Sequence, residues 1–112
     1  GEVGSIVKTT LSLANILPGI YSASATKINS KLIKIQWKVQ GTATRIDHFI
    51  IVVDVLGMKS VVGKCHNITD SNYFEFYDEL TDGEKGALSY IIIPVYYDYS
   101  RGKRIQTNKV LI

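Results

Sequence analysis

The chain has 112 residues, a net charge of +3 and a single cysteine, Cys65. That length fits one domain with a modest core, and 46% hydrophobic residues is too many for a disordered segment. The small charge excess falls short of the concentrated basic face of a nucleic-acid binder, no apolar run approaches the ~18 residues that span a bilayer, and one cysteine excludes an internal disulfide.

Gly1-Glu2-Val3-Gly4 lacks the basic and apolar regions of a signal peptide. The chain therefore reads as a fragment of a larger protein. Residues 1–17 are expected to be a flank or interdomain linker, and 18–112 the domain. From there apolar residues recur at every second position, the period of strands and not of helices. The stretch "GIYSASATKI", Gly19 to Ile28, is the first expected strand. In "KLIKIQWKV", Lys31 to Val39, Ile33, Ile35, Trp37 and Val39 share one face and Lys34, Gln36 and Lys38 the other. In "DHFIIVVDVL", Asp47 to Leu56, Phe49, Ile51, Val53 and Val55 face one way. Ile50 and Val52 predict partial cover on the opposite face.

Gly57-Met58 is expected to form a tight turn into "KSVVGKCH", where Gly63 suggests a bulge or an edge. After the polar loop "NITDSN", the run "YFEFYDEL" puts Phe74, Phe76 and Leu80 inward and Glu75 and Glu79 outward. "TDGEKG" is a loop. The next strand is the apolar run around Tyr90 to Val95. Pro94 cannot donate to a ladder and should sit where pairing ends or loosens. Asp98 to Lys103 is the expected hairpin loop, with Gly102 free to take a positive φ. Lys103 to Ile112 is the last strand. The expected fold is thus an all-β, seven-stranded antiparallel immunoglobulin-like sandwich. Its inward set is Ile33, Ile35, Trp37, Phe49, Ile51, Val53, Phe74, Phe76, Leu80 and Ile92.

The order and spacing of these runs resemble a fibronectin type III domain over Pro18 to Ile112. Pro18 precedes the first strand. "LIKIQW" resembles the family's second strand with its inward Trp37, and "IDHFIIVV" the third with Phe49. "FEFYDEL" resembles the fifth, "YIIIPVYYDYSRGK" the sixth and its turn, and "NKVLI" the last. The resemblance implies a tyrosine whose hydroxyl fastens the corner before the sixth strand. The Pro-Val-Tyr register puts that position at Leu88, whereas choosing Tyr90 places Pro94 earlier than usual. The loop "TDGEKGA" is longer than the family's common pattern.

The resemblance implies a non-catalytic module of an extracellular or cell-surface protein, a spacer and protein-interaction unit in adhesion or a receptor ectodomain. Two alternatives stay open. One is an accessory β-sandwich of a larger enzyme that binds sugar weakly, which an exposed aromatic strip would favour. The other is an intracellular sandwich scaffold, which the lone thiol permits. The candidate contact surface is the Tyr97–Arg104 loop, with Gly41–Arg45 at the same end. Tyr97, Tyr99, Arg101, Lys103 and Arg104 are its binding candidates. Tyrosine beside arginine is hot-spot composition and also ordinary sheet composition. The cations suit a protein partner or a sulfated glycosaminoglycan by charge-assisted hydrogen bonds; they equally suit a solvated turn. Gly102 is followed by Lys103, so the family's Arg-Gly-Asp motif is absent.

Asn67-Ile68-Thr69 is a glycosylation acceptor pattern, also common by chance. His48 should meet His66 across a hairpin. A structural zinc site wants four ligands, however, and Cys65 points away from His66. The acidic residues Asp78, Glu79, Asp82 and Glu84 do not match a calcium loop and read as solvated. No catalytic constellation, cofactor, metal or nucleic-acid ligand is expected, nor any membrane insertion by this segment.

Overall fold

In a computed structural model of the chain, residues 18–41, 45–68, 71–81 and 86–112 are described. Among them there is no helix. The strands are β1 Gly19–Asn29, β2 Leu32–Gln40, β3 Ile46–Val55, β4 Met58–His66, β5 Tyr73–Glu79, β6 Ala87–Tyr96, β7 Ile105–Gln106 and β8 Val110–Leu111. One sheet has the order β1-β2-β5. The other runs β4-β3-β6-β7, with β8 also on β6, and every pairing is antiparallel.

The alternation of the sequence sets which face each strand buries, because a one-residue slip would turn every apolar side chain outward. Ile33, Ile35, Trp37 and Val39 of β2 meet Phe49 and Ile51 of β3 and Tyr90 and Ile92 of β6 in one core between the sheets. Trp37 stacks on Phe74 at 5.9 Å and meets the edge of Phe49 at 5.2 Å. Of the expected inward set, Val53 and Phe76 are only half-buried, packed against this core. The outer face of the larger sheet carries a second small cluster of Val52, Ile91 and Ile93 with Ile50 against it. This is the partial cover that Ile50 and Val52 predict.

One turn here differs from expectation. The β3–β4 turn is Leu56-Gly57, not Gly57-Met58: both residues have positive φ (54° and 88°), Val55 pairs with Met58, and Gly57 N–H donates to Asp54 Oδ1 at 2.8 Å. The primed turn matches the strand twist, so Leu56 accepts a left-handed backbone that Gly or Asn usually takes. In β4, Ile51 pairs with Gly63 and Val52 with Val61, so Val62 is the bulged residue. Gly63 serves a different need there. A Cβ on it would stand 2.9 Å from the Phe76 ring.

The last expected strand is present as two short pieces. Between them Thr107 receives the Tyr90 N–H on its side-chain Oγ1 (2.9 Å), so side chain replaces backbone in the ladder. Asn108 then turns to the other sheet. Its Oδ1 accepts from Ala25 N–H (2.9 Å) and its Nδ2 donates to the Ala25 carbonyl (3.0 Å). One amide thus imitates a strand neighbour and ties the edge of β1 to the larger sheet.

Asp78 corrects the reading of the acidic run. It lies in phase with Phe74 and Phe76, is buried, and accepts the Tyr90 hydroxyl at Oδ2 (2.7 Å). Of the two positions open for the corner residue, Tyr90 therefore has the buried hydroxyl bond. Tyr90→Phe is expected to cost about 1.5–3 kcal/mol, the range for a hydrogen bond to a charged group. A double-mutant cycle with Asp78→Asn, read by urea unfolding, should give a coupling above about 1 kcal/mol. Additive losses would mean the two groups do not act together. Asp82 and Glu84 lie outside the described residues.

Candidate functional site

Three connections converge at one end of the fold. Asn72 Nδ2 donates to the Val39 and Gly41 carbonyls (2.8 and 3.2 Å), joining the β4–β5 connection to the end of β2. Asn67 Nδ2 donates to the Ile46 carbonyl (2.9 Å), joining the same connection to the start of β3. The Tyr96 hydroxyl donates to the Pro18 carbonyl (2.8 Å), joining the end of β6 to the start of β1. A Cβ on Gly41, where φ is 98°, would touch Pro18 Cα at 3.2 Å. Side-chain hydrogen bonds to backbone thus hold this end together.

The β6–β7 connection begins there. Tyr99 N–H donates to the Tyr96 carbonyl and Tyr96 N–H to the Ser100 carbonyl, both at 2.9 Å. They enclose a three-residue loop, Tyr97-Asp98-Tyr99, with Tyr99 at φ 68°. This is the three-residue hairpin whose last loop position is left-handed. Asp98 Oδ1 braces it by accepting from Ser100 N–H (3.0 Å) and from the Ser100 hydroxyl. Those two donors hold the Asp98 carboxyl below its ordinary range, and the nearby Arg45 guanidinium acts in the same direction.

The expected hairpin bounds and the expected role of Gly102 are both corrected. The positive φ belongs to Tyr99, and Gly102 is not among the positive-φ glycines. Gly102 is needed for space, because a Cβ there would run into the Tyr96 hydroxyl and the Pro94 ring. Pro94 behaves as its missing N–H requires. β7 pairs with β6 only at Ile91 and Ile92, so that ladder has ended before Pro94, whereas on the β3 side Pro94 stays in register opposite Phe49, short of the bulge between Ile46 and His48. The Pro94 carbonyl still accepts, from Gly102 N–H at 2.9 Å.

Tyr96 and Tyr97 separate as strand neighbours should. Tyr96 is buried, and burial pushes its hydroxyl pKa up. Tyr97 and Tyr99 are 59% and 88% exposed. Arg101 forms an isolated bridge with Val95 and is exposed, as are Lys103 and Arg104. Neither ion pair among the described residues uses these cations. The end therefore presents two aromatic rings, an uncompensated basic run and Arg45, which the sequence reading had only as one boundary of a segment. Residues 42–44 lie outside the described residues.

Asn67 sits in a connection as expected, but it is buried at 9% exposure while Ile68 is open. The nitrogen that a glycan would occupy is engaged with Ile46. Thr69 lies outside the described residues. His48 pairs with His66, ring centroids 5.8 Å apart, and His48 Nδ1 meets Asp47 Oδ2 at 2.7 Å. Cys65 turns toward the core, where burial pushes its thiol pKa up.

These features define an all-β protein of antiparallel sheets with a loop-built surface at one end. Comparisons of the chain with protein-family models, with curated proteins and with solved structures return no match.

Proposed function

We propose that the chain is a fibronectin type III-like module, a non-catalytic spacer and interaction unit of an extracellular or cell-surface protein. Its partner would be met at the three-loop end. The fold supports this reading through its partition of strands. The first, second and fifth lie on one sheet, the third, sixth and interrupted last on the other, as in immunoglobulin-like sandwiches.

The observation that carries the reading is Tyr99. A bulky residue at positive φ is an outlier that costs about 1–2 kcal/mol. Glycine or asparagine would fit this hairpin position without that cost. Yet the tyrosine ring makes no use of the core, being 88% exposed. Leu56 bears the same strain at the β3–β4 turn, so what sets Tyr99 apart is an exposed ring beside Tyr97 and Arg101, the composition of a contact surface. The unpaired cations favour an acidic protein surface or a sulfated glycosaminoglycan, with affinity that falls as salt rises.

Reversing Arg101, Lys103 and Arg104 to glutamate is the direct test. The expected result is loss of heparin retention at about 0.15 M salt, with thermal stability within the range of about 0.5 kcal/mol usual for surface changes. Retention unchanged in the folded triple variant would remove the electrostatic contact. The wild type staying unbound to heparin would leave an acidic protein partner as the form this reading must take. Asn67 plays no part in the proposal, since its nitrogen already closes the fold.

A further inference from the structure

The solvent face of the smaller sheet is built in three parallel rows. β1 contributes Ser22, Ser24 and Thr26, and β2 contributes Lys38, Gln36 and Lys34. Cross-strand register sets Tyr73 and Tyr77 of β5 beside Lys38 and Lys34, with Glu75 beside Gln36. Side chains on one face of adjacent strands stand close enough to interact, and here they form one connected network. The Tyr73 hydroxyl lies between Gln36 Oε1 (2.5 Å) and Glu75 Oε1 (2.6 Å). Gln36 Nε2 donates to Ser24 Oγ at 3.2 Å, and Lys34 Nζ lies 3.2 Å from Glu75 Oε1.

The register fixes how the tyrosines lie. Tyr73 stands opposite Lys38, yet its hydroxyl reaches the Gln36–Glu75 pair further along. Its side chain must therefore lean along the sheet toward that pair. From the other side the Tyr77 hydroxyl reaches back to Glu75 Oε2 at 3.4 Å. Two rings lean toward each other over one carboxylate, 41% and 49% exposed. A shallow depression of about 170 Å³, lined by Ser22, Ser24, Gln36, Lys38 and Tyr73, adjoins them.

We propose that this face is a second binding surface, for a neutral oligosaccharide chain, formed by Tyr73, Tyr77, Gln36 and Glu75. A sugar ring offers a C–H face and a rim of hydroxyls. Exposed aromatic rings take the first, and planar amide and carboxylate groups take the second. Lys34 neutralises Glu75, which leaves Lys38 as the one unneutralised charge among these residues, too little to select a polyanion over an uncharged polyol. All four side chains stand on strands and are already held by hydrogen bonds, which lowers the entropy cost of binding. Among the described residues, β1 and β5 each pair only with β2 in this sheet, so the three rows span its full width. The proposal is independent of the loop end, whose tyrosines sit on a turn among unpaired cations.

The test is a titration of the isotope-labelled domain with cellohexaose, a flat neutral glucan, followed by amide shifts, with xylohexaose and mannohexaose in parallel. At least one sugar is expected to shift amides of residues 22–26, 34–38 and 73–77, saturating near about 1 mM. Tyr73→Ala and Tyr77→Ala should each weaken that binding about tenfold. Tyr73→Phe, which keeps the ring but frees it from Gln36 and Glu75, should weaken binding less than Tyr73→Ala, and Tyr97→Ala with Tyr99→Ala should change nothing. Three outcomes would overturn the proposal. They are no shifts with any of the three sugars at about 10 mM, shifts that survive both alanine changes, and shifts confined to the loop end. Because Tyr73 and Tyr77 are exposed, the variants should stay folded, and their amide spectra report that directly.

Discussion

Replacing Trp37 with alanine is expected to destabilise the domain by about 3–5 kcal/mol, the usual cost of removing a large aromatic from a core. Trp37 is 1% exposed and lies between the sheets, stacked on Phe74 and edge-on to Phe49. Its loss leaves a hole that both sheets border. The total stability of a domain is about 5–15 kcal/mol, so this change takes a large share of it. Trp37→Phe should cost far less than alanine. The indole Nε1 is buried and has no hydrogen-bond partner among the described residues. Phenylalanine removes that orphaned donor, whose burial costs about 1–3 kcal/mol, and this offsets part of the lost packing. Urea unfolding at constant m measures both. If Trp37→Phe cost as much as Trp37→Ala, the indole would owe its place to an interaction other than packing.

The second large effect is expected at Gly102, half-buried just beyond the β6–β7 loop with its N–H on the Pro94 carbonyl. Gly102→Ala should cost about 2–3 kcal/mol, in the range of overpacking. The new methyl would meet the Tyr96 hydroxyl, and Pro94 Cγ and Tyr96 Cζ at 2.9 Å each. Tyr96 could yield only by leaving the Pro18 carbonyl, which opens the joint between β6 and the start of β1. Tyr96→Phe by itself loses one hydrogen bond, about 1 kcal/mol. It also removes the atom nearest to the new methyl. The double variant should therefore cost clearly less than the sum of the two. A Gly102→Ala protein as stable as wild type would show that the Tyr96 ring can move without cost. It would also undo the view of this glycine as a spacer.

These effects mark where the sequence could and could not be read. The faces of β2 were legible because Ile33, Ile35, Trp37 and Val39 alternate with polar residues, and a half-buried strand has only one register that hides them. The core of β3 was legible for the same reason. β6 was harder. Its run from Tyr90 to Tyr96 is apolar on both faces, so alternation carries no signal there. Ile92 enters the main core as expected; the packed sheet adds Tyr90 to it and sets Ile91 and Ile93 in the outer cluster.

At the candidate surface, composition pointed to Tyr97, Tyr99 and the basic run, because exposed rings and cations in a turn are visible as residue types. It could not assign the left-handed position to Tyr99 and not Gly102. That choice depends on the Tyr96 side chain packing against Gly102, and on the loop closing after three residues. The Tyr73–Glu75–Tyr77 strip was likewise hidden, since it needs Gln36 from another strand to lean the Tyr73 side chain along the sheet.

The sequence by itself determined an all-β chain, the strand order along it, and which side of each amphipathic strand turns inward, since these follow from local period and turn chemistry. Only the tertiary structure decided the rest. It buried Asp78 against Tyr90, set Asn108 across to Ala25, put Asn67 inside, and broke the last strand in two. In each case a polar side chain finds its partner far along the chain. Such a pairing leaves no periodic trace, because it is specified by the distance between folded strands and not by the residues that neighbour it.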